Sequence, residues 1–368
     1  MEIAIYGAQS IAIGACEAIR NLYPKRIIKC FLVTKREDNA NSLLGVPVLQ
    51  LEDFSKSLSK EEKRNIEVLI ATPDNVMPDI EKSLNEQGLC CYVRLTSMCW
   101  AKLMGYYYIC NKKYMPLSAL PIGYHSAKLN LFMAKFYKDK PLESQYNMPA
   151  WIIPIQVGAT LCDKRVANLL DCDGENISNK NQNYSELTAL YWIWKNRLNR
   201  QQSDSVDEYY GLCHYRRILE LSNDDVLRLI DNDVDVILPY PMPYEPNIEE
   251  HHKRYLKDSD WNVLLIALEE LYPQYASRSL EILSQRYLYN YNIIVAKKAV
   301  LSEYCAWLFP ILERVEELGA LKQSDREQRY IGYMGETLST LYFMMNKQIK
   351  RMNEKDIHFL SFFVIFYQ

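Results

Sequence analysis

The sequence predicts an α/β protein of two domains, a small one with a parallel sheet and a larger one with a mixed sheet. Short apolar runs alternate with helical patterns from the first residues to Leu95, as βα units do. Pro116, Pro121, Gly123 and a tyrosine cluster then interrupt the pattern within residues 99–125. Beyond them strands and long helices follow without an internal repeat or low-complexity tract, and 368 residues suffice for two domains.

In the first domain, Ile3–Tyr6 reads as a strand ending at Gly7, and a helix follows over Ser10–Leu22. Strands are expected at Ile27–Val33, Gly45–Val48, Glu67–Ala71 and Tyr92–Leu95, with a helix at Asp79–Gln87 that stops at Gly88. The turn Gly7-Ala8-Gln9-Ser10-Ile11-Ala12-Ile13-Gly14 lacks the spacing of a dinucleotide fingerprint. A helix start after a glycine turn suits a phosphate, and it also occurs in any βα unit, so both readings stand.

The second domain is expected to open with a strand at Leu129–Lys135, then Ile152–Val157 and a polar loop at 171–183. A helix is predicted over Ser185–Leu198, where Leu187, Leu190, Tyr191 and Trp194 repeat at helical spacing. Further strands fit Tyr209–Cys213, Val234–Leu238 and Asn292–Ala296, and helices fit 260–270, 301–318 and 325–346. The domains are therefore 1–110, a linker at 111–127, and 128–368.

Composition narrows the function. A net charge of −3 is not that of a nucleic-acid coat, so no nucleic-acid partner is expected. Twenty-eight tyrosines suit surfaces that are apolar yet hydrogen-bonding, as sugar and nucleotide sites often are. Cys90 and Cys91 are adjacent and no Cys-x-x-Cys occurs, so the ten cysteines read as reduced thiols of a cytosolic protein. No signal peptide is expected at MEIAIYGAQS. The apolar run Phe359–Tyr367 falls short of the roughly 18–20 residues that cross a bilayer. It reads as a buried last element, with a membrane-surface contact as the alternative.

Candidate site residues lie in three segments. In the first, Asn176, Ser178, Lys180 and Asn181 form a polar loop running into a helix start, suited to sugar hydroxyls or a phosphate. Glu186 stands three residues after Asn183, as a capping residue or a ligand contact. In the second, His214, Arg216 and Arg217 follow a buried strand at the end where α/β sheets bind ligands. Arginine there can neutralise a diphosphate without a metal. In the third, Ser324 and Glu327 make a capping box, and Arg326, Arg329, Tyr333 and Glu336 share one helical face opposite Ile331, Leu338, Leu341 and Met345. Asp-x-Asp spacings occur at Asp171/Asp173, Asp231/Asp233, Asp233/Asp235 and Asp258/Asp260, and only the first is kept as a metal candidate. His251 and His252 are adjacent, which is not ligand spacing, so no metal ligand is assigned.

The segments PIQVGATLCDKRVANLLDCDGENISNKNQNYSELTALYWIWKN, YYGLCHYRR and SDREQRYIGYMGETL resemble, in order, a bacterial family of capsular and exopolysaccharide biosynthesis proteins. That family, long catalogued as a domain of unknown function, is regarded as glycosyltransferases of GT-A type. The resemblance covers about residues 128–345. The family's opening strand usually ends in His-Lys; here it reads Ala134-Lys135-Phe136, so no role passes to that histidine. The first domain more loosely resembles Rossmann-like modules of sugar-modifying enzymes.

The resemblance implies a GT-A-like hexosyltransferase, with galactose one candidate sugar, using a nucleotide-diphosphate sugar as donor. The acceptor would be a lipid-linked saccharide at the cytoplasmic face of the inner membrane, reached by peripheral contact. Glu336 is the expected catalytic base, with Asp325 the alternative. His214, Arg216, Arg217, Asn176, Ser178, Asn181, Glu186, Arg326, Arg329 and Tyr333 are expected on the donor, and His251 and Tyr244 on the acceptor, with Tyr240 as a second stacking ring. No cofactor is required by this reading, a divalent Mn²⁺ or Mg²⁺ being the alternative. The rival function is a non-catalytic nucleotide-sugar-binding or scaffold protein of a polysaccharide assembly complex.

Overall fold

The computed structural model describes residues 2–37, 39–111, 114–140, 148–199, 208–219, 221–253, 255–319, 328–352, 359–362 and 364–366, with side chains up to residue 346. It is an α/β structure of two compact units. One comprises Met1–Lys113 with Met242–Ile248, the other Tyr114–Pro241 with Glu249–Tyr367.

The first unit runs β1 (Glu2–Tyr6), α1 (Ser10–Leu22), β2 (Ile27–Val33), β3 (Ser42–Leu43), β4 (Val46–Gln50), α2 (Leu51–Ser57), α3 (Lys60–Asn65), β5 (Glu67–Ile70), α4 (Met77–Glu86), β6 (Tyr92–Arg94) and α5 (Ser97–Cys110). The sheet order is β3-β4-β2-β1-β5-β6, parallel except for β3. β1 is buried on both faces because helices cover the sheet on each side, the usual condition of a parallel strand. Gly7 has φ 122°, and a Cβ there would lie 2.6 Å from the Ala71 carbonyl oxygen, so only glycine fits this turn.

Residues 97–110, where the sequence showed only an interrupted pattern, are helical. They form α5, capped by Thr96 through the Cys99 N–H, with Trp100 Nε1 donating to the Ile11 carbonyl at 3.0 Å. The helix escaped detection because it is apolar nearly all round and shows no stripe.

The second unit begins with β7 (Met115–Pro116), β8 (Lys128–Lys135), β9 (Ile152–Gln156) and β10 (Leu169–Leu170). Two helices, α6 (Asn181–Tyr184) and α7 (Leu187–Ile193), precede β11 (Glu208–His214) and β12 (Arg217–Leu219). Then come α8 (Asn223–Asp231), β13 (Val236–Pro239), β14 (Met242–Pro243, grouped with the first unit), α9 (Ile248–His252), α10 (Asp258–Leu271) and α11 (Pro273–Leu283). The chain closes through β15 (Tyr287–Leu288), β16 (Ile294–Lys297), α12 (Lys298–Leu318), α13 (Tyr330–Met352), β17 (Phe359–Phe362) and β18 (Val364–Phe366). The terminal apolar run is thus two strands, pairing with β13, β7 and β12.

The large sheet has the order β10-β9-β8-β11-β16-β13-β17-β7. β11 lies between parallel β8 and antiparallel β16. Its residues alternate between two cores. Tyr210 and Leu212 face Leu187, Leu190, Leu308, Ile331 and Leu338, whereas Tyr209 and Cys213 face Val226, Leu229 and Val234. That alternation carries His214 to the helix-covered face. Full burial of such aliphatic side chains contributes about 1.5–3 kcal/mol each, so this packing is what holds α7 and α13 over the strand.

The helix expected over 185–198 is present from Leu187 onward, with irregular ends. Ser185 takes a left-handed φ of 51° between α6 and α7, and a wide π-helical turn over Trp194–Leu198 ends the segment. The capping box read at Asn183–Glu186 is therefore absent: Glu186 sits at the α7 N-cap position but its carboxylate does not cap the helix. The helix expected at 325–346 is described from Tyr330, and α8 and α11 are further helices beyond those read from periodicity.

Candidate functional site

His214, at the carboxyl end of β11, is 18% exposed, and its Nε2 lies 2.7 Å from the Tyr291 carbonyl oxygen. A carbonyl only accepts, so Nε2 carries the proton and Nδ1 keeps a lone pair. Burial lowers the histidine's proton affinity, and the charges of Arg217 and Arg329 act the same way against Glu186 and the Tyr291 carbonyl. The ring is therefore neutral at neutral pH.

Two carboxylates complete the centre. Glu186 Oε1 is 3.7 Å from His214 Nε2 and accepts from Asn292 Nδ2 at 2.7 Å. Glu336, on α13, accepts the Tyr291 N–H through Oε1 at 2.9 Å. Burial, and next the Glu186 charge, push the Glu336 carboxyl up to about 8, while the Tyr291 N–H, Arg217 and Arg329 pull it down. Arg217 stacks over the Tyr291 ring at 3.9 Å, and Arg329 donates through Nε to Ser185 Oγ at 3.2 Å. Tyr333, one turn before Glu336, packs against Tyr255 at 4.9 Å between ring centres.

Helix α13 comes this close because of two glycines. A Cβ on Gly332 would stand 3.2 Å from Ser185 Oγ, and one on Gly335 would stand 2.7 Å from Leu187 Cδ1 and 2.9 Å from Asn292 Oδ1. Five described non-glycine residues have positive φ, and three of them, Ser185, Tyr291 and Asn292, belong to this site. Such clustering is typical of functional centres, where surrounding contacts hold an unfavourable backbone.

The structure brings together Glu186, His214, Arg217, Arg329, Tyr333 and Glu336. Arg216 turns elsewhere, over Tyr215 at 5.0 Å and towards the Asp139 carboxylate. The loop side chains spend their polar atoms on the chain. Asn176 Nδ2 donates to the Cys172 and Gly174 carbonyls, Ser178 Oγ to Asp171, and Asn181 Nδ2 to the Ser185 carbonyl and Thr188 Oγ1. Asn181 thus helps to fix Ser185, and Asn176 and Ser178 tie down the loop itself. Lys180 pairs with Glu316 at 2.6 Å. Tyr240 and Tyr244 are buried, at 5% and 8% exposure, so neither offers a stacking face. His251 packs on Tyr255 at 5.3 Å, and buried His252 contacts Thr337 Oγ1. Ser324, Asp325, Arg326 and Glu327 lie outside the described residues. Sequence reasoning missed Ser185, Tyr255, Tyr291 and Asn292. The one local signal was the Asn-Tyr-Asn run before β16, since asparagine tolerates left-handed backbone.

The Asp-x-Asp pairs do not fit a divalent ion. Asp171 is fully buried and accepts from the Gly158 and Ala159 N–H groups, Ser178 Oγ and Thr188 Oγ1. Asp231 binds Tyr124 and His125, Asp233 and Asp235 bind Lys297, and Asp260 bonds the N–H of Lys257 at its own helix start. Among the described residues, no three His, Cys, Asp or Glu stand grouped to hold a metal. All ten cysteines are free. No described helix is long and apolar enough to cross a membrane.

The α/β fold has a solved counterpart. It matches a solved structure described as the apo form of WbbM, a bifunctional glycosyltransferase, with TM-score 0.55 and 24% identity. The match covers 66% of this chain and 45% of that one, so the chain spans less than half of its structural relative. The chain belongs to the family described as a domain of unknown function, DUF4422, whose model matches residues 139–348. No curated protein matches it.

Proposed function

We propose that the chain is a glycosyltransferase of GT-A type that moves a hexose from a nucleotide-diphosphate sugar to a saccharide hydroxyl. The observation that carries this reading is the buried Glu186–Glu336 pair beside neutral His214, with Arg217 and Arg329 turned on the same carboxylate. Ionised Glu336 takes the acceptor hydroxyl's proton as that oxygen bonds to the anomeric carbon. The bond from that carbon to the diphosphate breaks, and the leaving nucleotide keeps the electron pair. Arg217 and Arg329 then offset its charge, the task a divalent ion performs elsewhere. Asp325 is the alternative base.

His214 and Tyr333 flank the donor in this reading, and His251 with Tyr255 lies towards the acceptor. The family resemblance supports a lipid-linked capsular or exopolysaccharide repeat unit as acceptor and peripheral work at the cytoplasmic membrane face. The test is a panel of nucleotide-diphosphate hexoses, with and without a divalent ion and chelator, scored for thermal shift and slow donor hydrolysis. Hydrolysis lost in Glu336→Gln supports the transferase. Binding without hydrolysis or transfer would leave a nucleotide-sugar-binding scaffold protein.

A further inference from the structure

We propose that the left-handed pair Tyr291–Asn292 is the positioning element of this site, setting the two glutamates and His214 against one another from a single turn. The two residues have φ of 72° and 50°, a conformation uncommon for any non-glycine residue and a genuine outlier for a ring as bulky as tyrosine's. From that turn come five contacts. The Tyr291 N–H goes to Glu336 Oε1 at 2.9 Å, and its carbonyl accepts from His214 Nε2 at 2.7 Å. The Tyr291 ring lies beneath Arg217 at 3.9 Å. The Asn292 amide donates to Glu186 Oε1 at 2.7 Å and to the Gly332 carbonyl at 3.2 Å.

No other local backbone would do this. In an extended strand the N–H and C=O of Tyr291 would join the ladder with a neighbouring strand, as those of Ile294 and Val295 do in β16. Turned left-handed, they leave the ladder and point at side chains. Asn292 is 6% exposed, and both acceptors of its Nδ2 are fixed, which settles its orientation: a flipped amide would set its oxygen against a carboxylate. Gly335 keeps room for the Asn292 oxygen, since a Cβ there would come within 2.9 Å. The turn also determines which histidine nitrogen is protonated, leaving His214 Nδ1 as the acceptor. Tyr291 and Asn292 act through Glu186, Glu336, His214 and Arg217, and nothing requires them to touch substrate.

The inference rests on reading Glu336 as the base, so its test needs a readout that does not depend on turnover. Infrared titration of side-chain carboxyls follows the protonated Glu336 signal, identified by its loss in Glu336→Gln. The wild-type midpoint is expected near 8. Asn292→Gly keeps left-handed backbone but removes the donor to Glu186. Released from that donor, Glu186 is no longer held beside Glu336, its charge bears less on the Glu336 carboxyl, and the midpoint falls by half a pH unit or more. Asn292→Asp, also tolerant of this backbone, adds a carboxylate and moves the midpoint up. Opposite shifts, with kcat reduced about tenfold or more and KM changed less than threefold, support the positioning role. Equal midpoints in both folded variants overturn it, as does failure of both to fold, which would make the turn a folding element. If the midpoints shift while the wild type turns over no nucleotide sugar, the turn positions the pair and the transferase reading alone fails.

Discussion

Asn292 donates its amide to Glu186 at 2.7 Å across 106 positions of sequence, joining the strand β16 approach to the start of α7. Because the same asparagine also bonds the Gly332 carbonyl on α13, one side chain ties together the three elements that carry the acid pair and its supports. Changes around this link give the following expected outcomes.

Glu336→Gln keeps size and polarity but removes the base. Turnover should fall about 10²–10⁴-fold, with donor binding little changed. Steady-state kinetics beside a melting curve checks this. A rate within a few-fold of wild type moves the assignment to Asp325.

Activity should rise as pH increases through about 8, because only the ionised Glu336 accepts a proton in the free enzyme. Stability should run the other way. An unfolded chain releases this proton near 4.5, while the folded protein keeps it to about 8, so its stabilisation is complete below 4.5 and lost by 8. His252 contributes with the opposite sign. Burial lowers it from 6.5 to about 4, so its share is complete above 6.5 and lost as pH falls towards 4. Melting temperatures should therefore decline between about pH 6.5 and 8 in wild type and flatten across that window in Glu336→Gln.

Arg217→Lys retains charge but loses the planar stack on Tyr291 and paired hydrogen bonding to phosphate. The donor KM should rise about 10–100-fold, the usual worth of a charged hydrogen bond. Chelator should leave wild-type turnover within about twofold. Loss of activity restored by Mn²⁺ would contradict transfer assisted by arginine alone.

Asp171→Asn tests the buried carboxylate that ties the 158–159 turn, Ser178 and Thr188 together. Replacing one acceptor oxygen by an NH₂ sets donor against donor, and chemical denaturation should show a loss of about 2–3 kcal/mol. A metal role for this aspartate would instead leave stability near normal and abolish a metal-dependent rate.

Gly335→Ala places a methyl against Leu187 and the Asn292 oxygen. A stability loss of about 1–3 kcal/mol is expected from overpacking. The fall in turnover should exceed what unfolding at assay temperature explains. Activity measured at low temperature, where the variant is fully folded, separates the two.

Elements governed by near neighbours were legible in the sequence. Ser10–Leu22 and Ile27–Val33 form the expected helix and strand because their periodicity concerns residues a few positions apart. The run ending at His214 read as a buried strand for the same reason, and the motifs around Glu186, His214 and Glu336 lie within the stretch that the domain-of-unknown-function family model matches. The helix over 97–110 did not announce itself, since an all-round apolar helix has no stripe and its burial depends on partners such as Ile11. Nor could spacing show that Glu186 leaves its own helix start for Asn292, that Arg216 and Arg217 part company, or that Asn176, Ser178 and Asn181 bond inward. Those outcomes belong to tertiary structure. The left-handed backbone at Ser185, Tyr291 and Asn292 is unfavourable in isolation and is held by contacts from α7, α13 and β11. Local sequence therefore set which side chains were available, and the long-range contacts that hold a strained turn decided which of them meet.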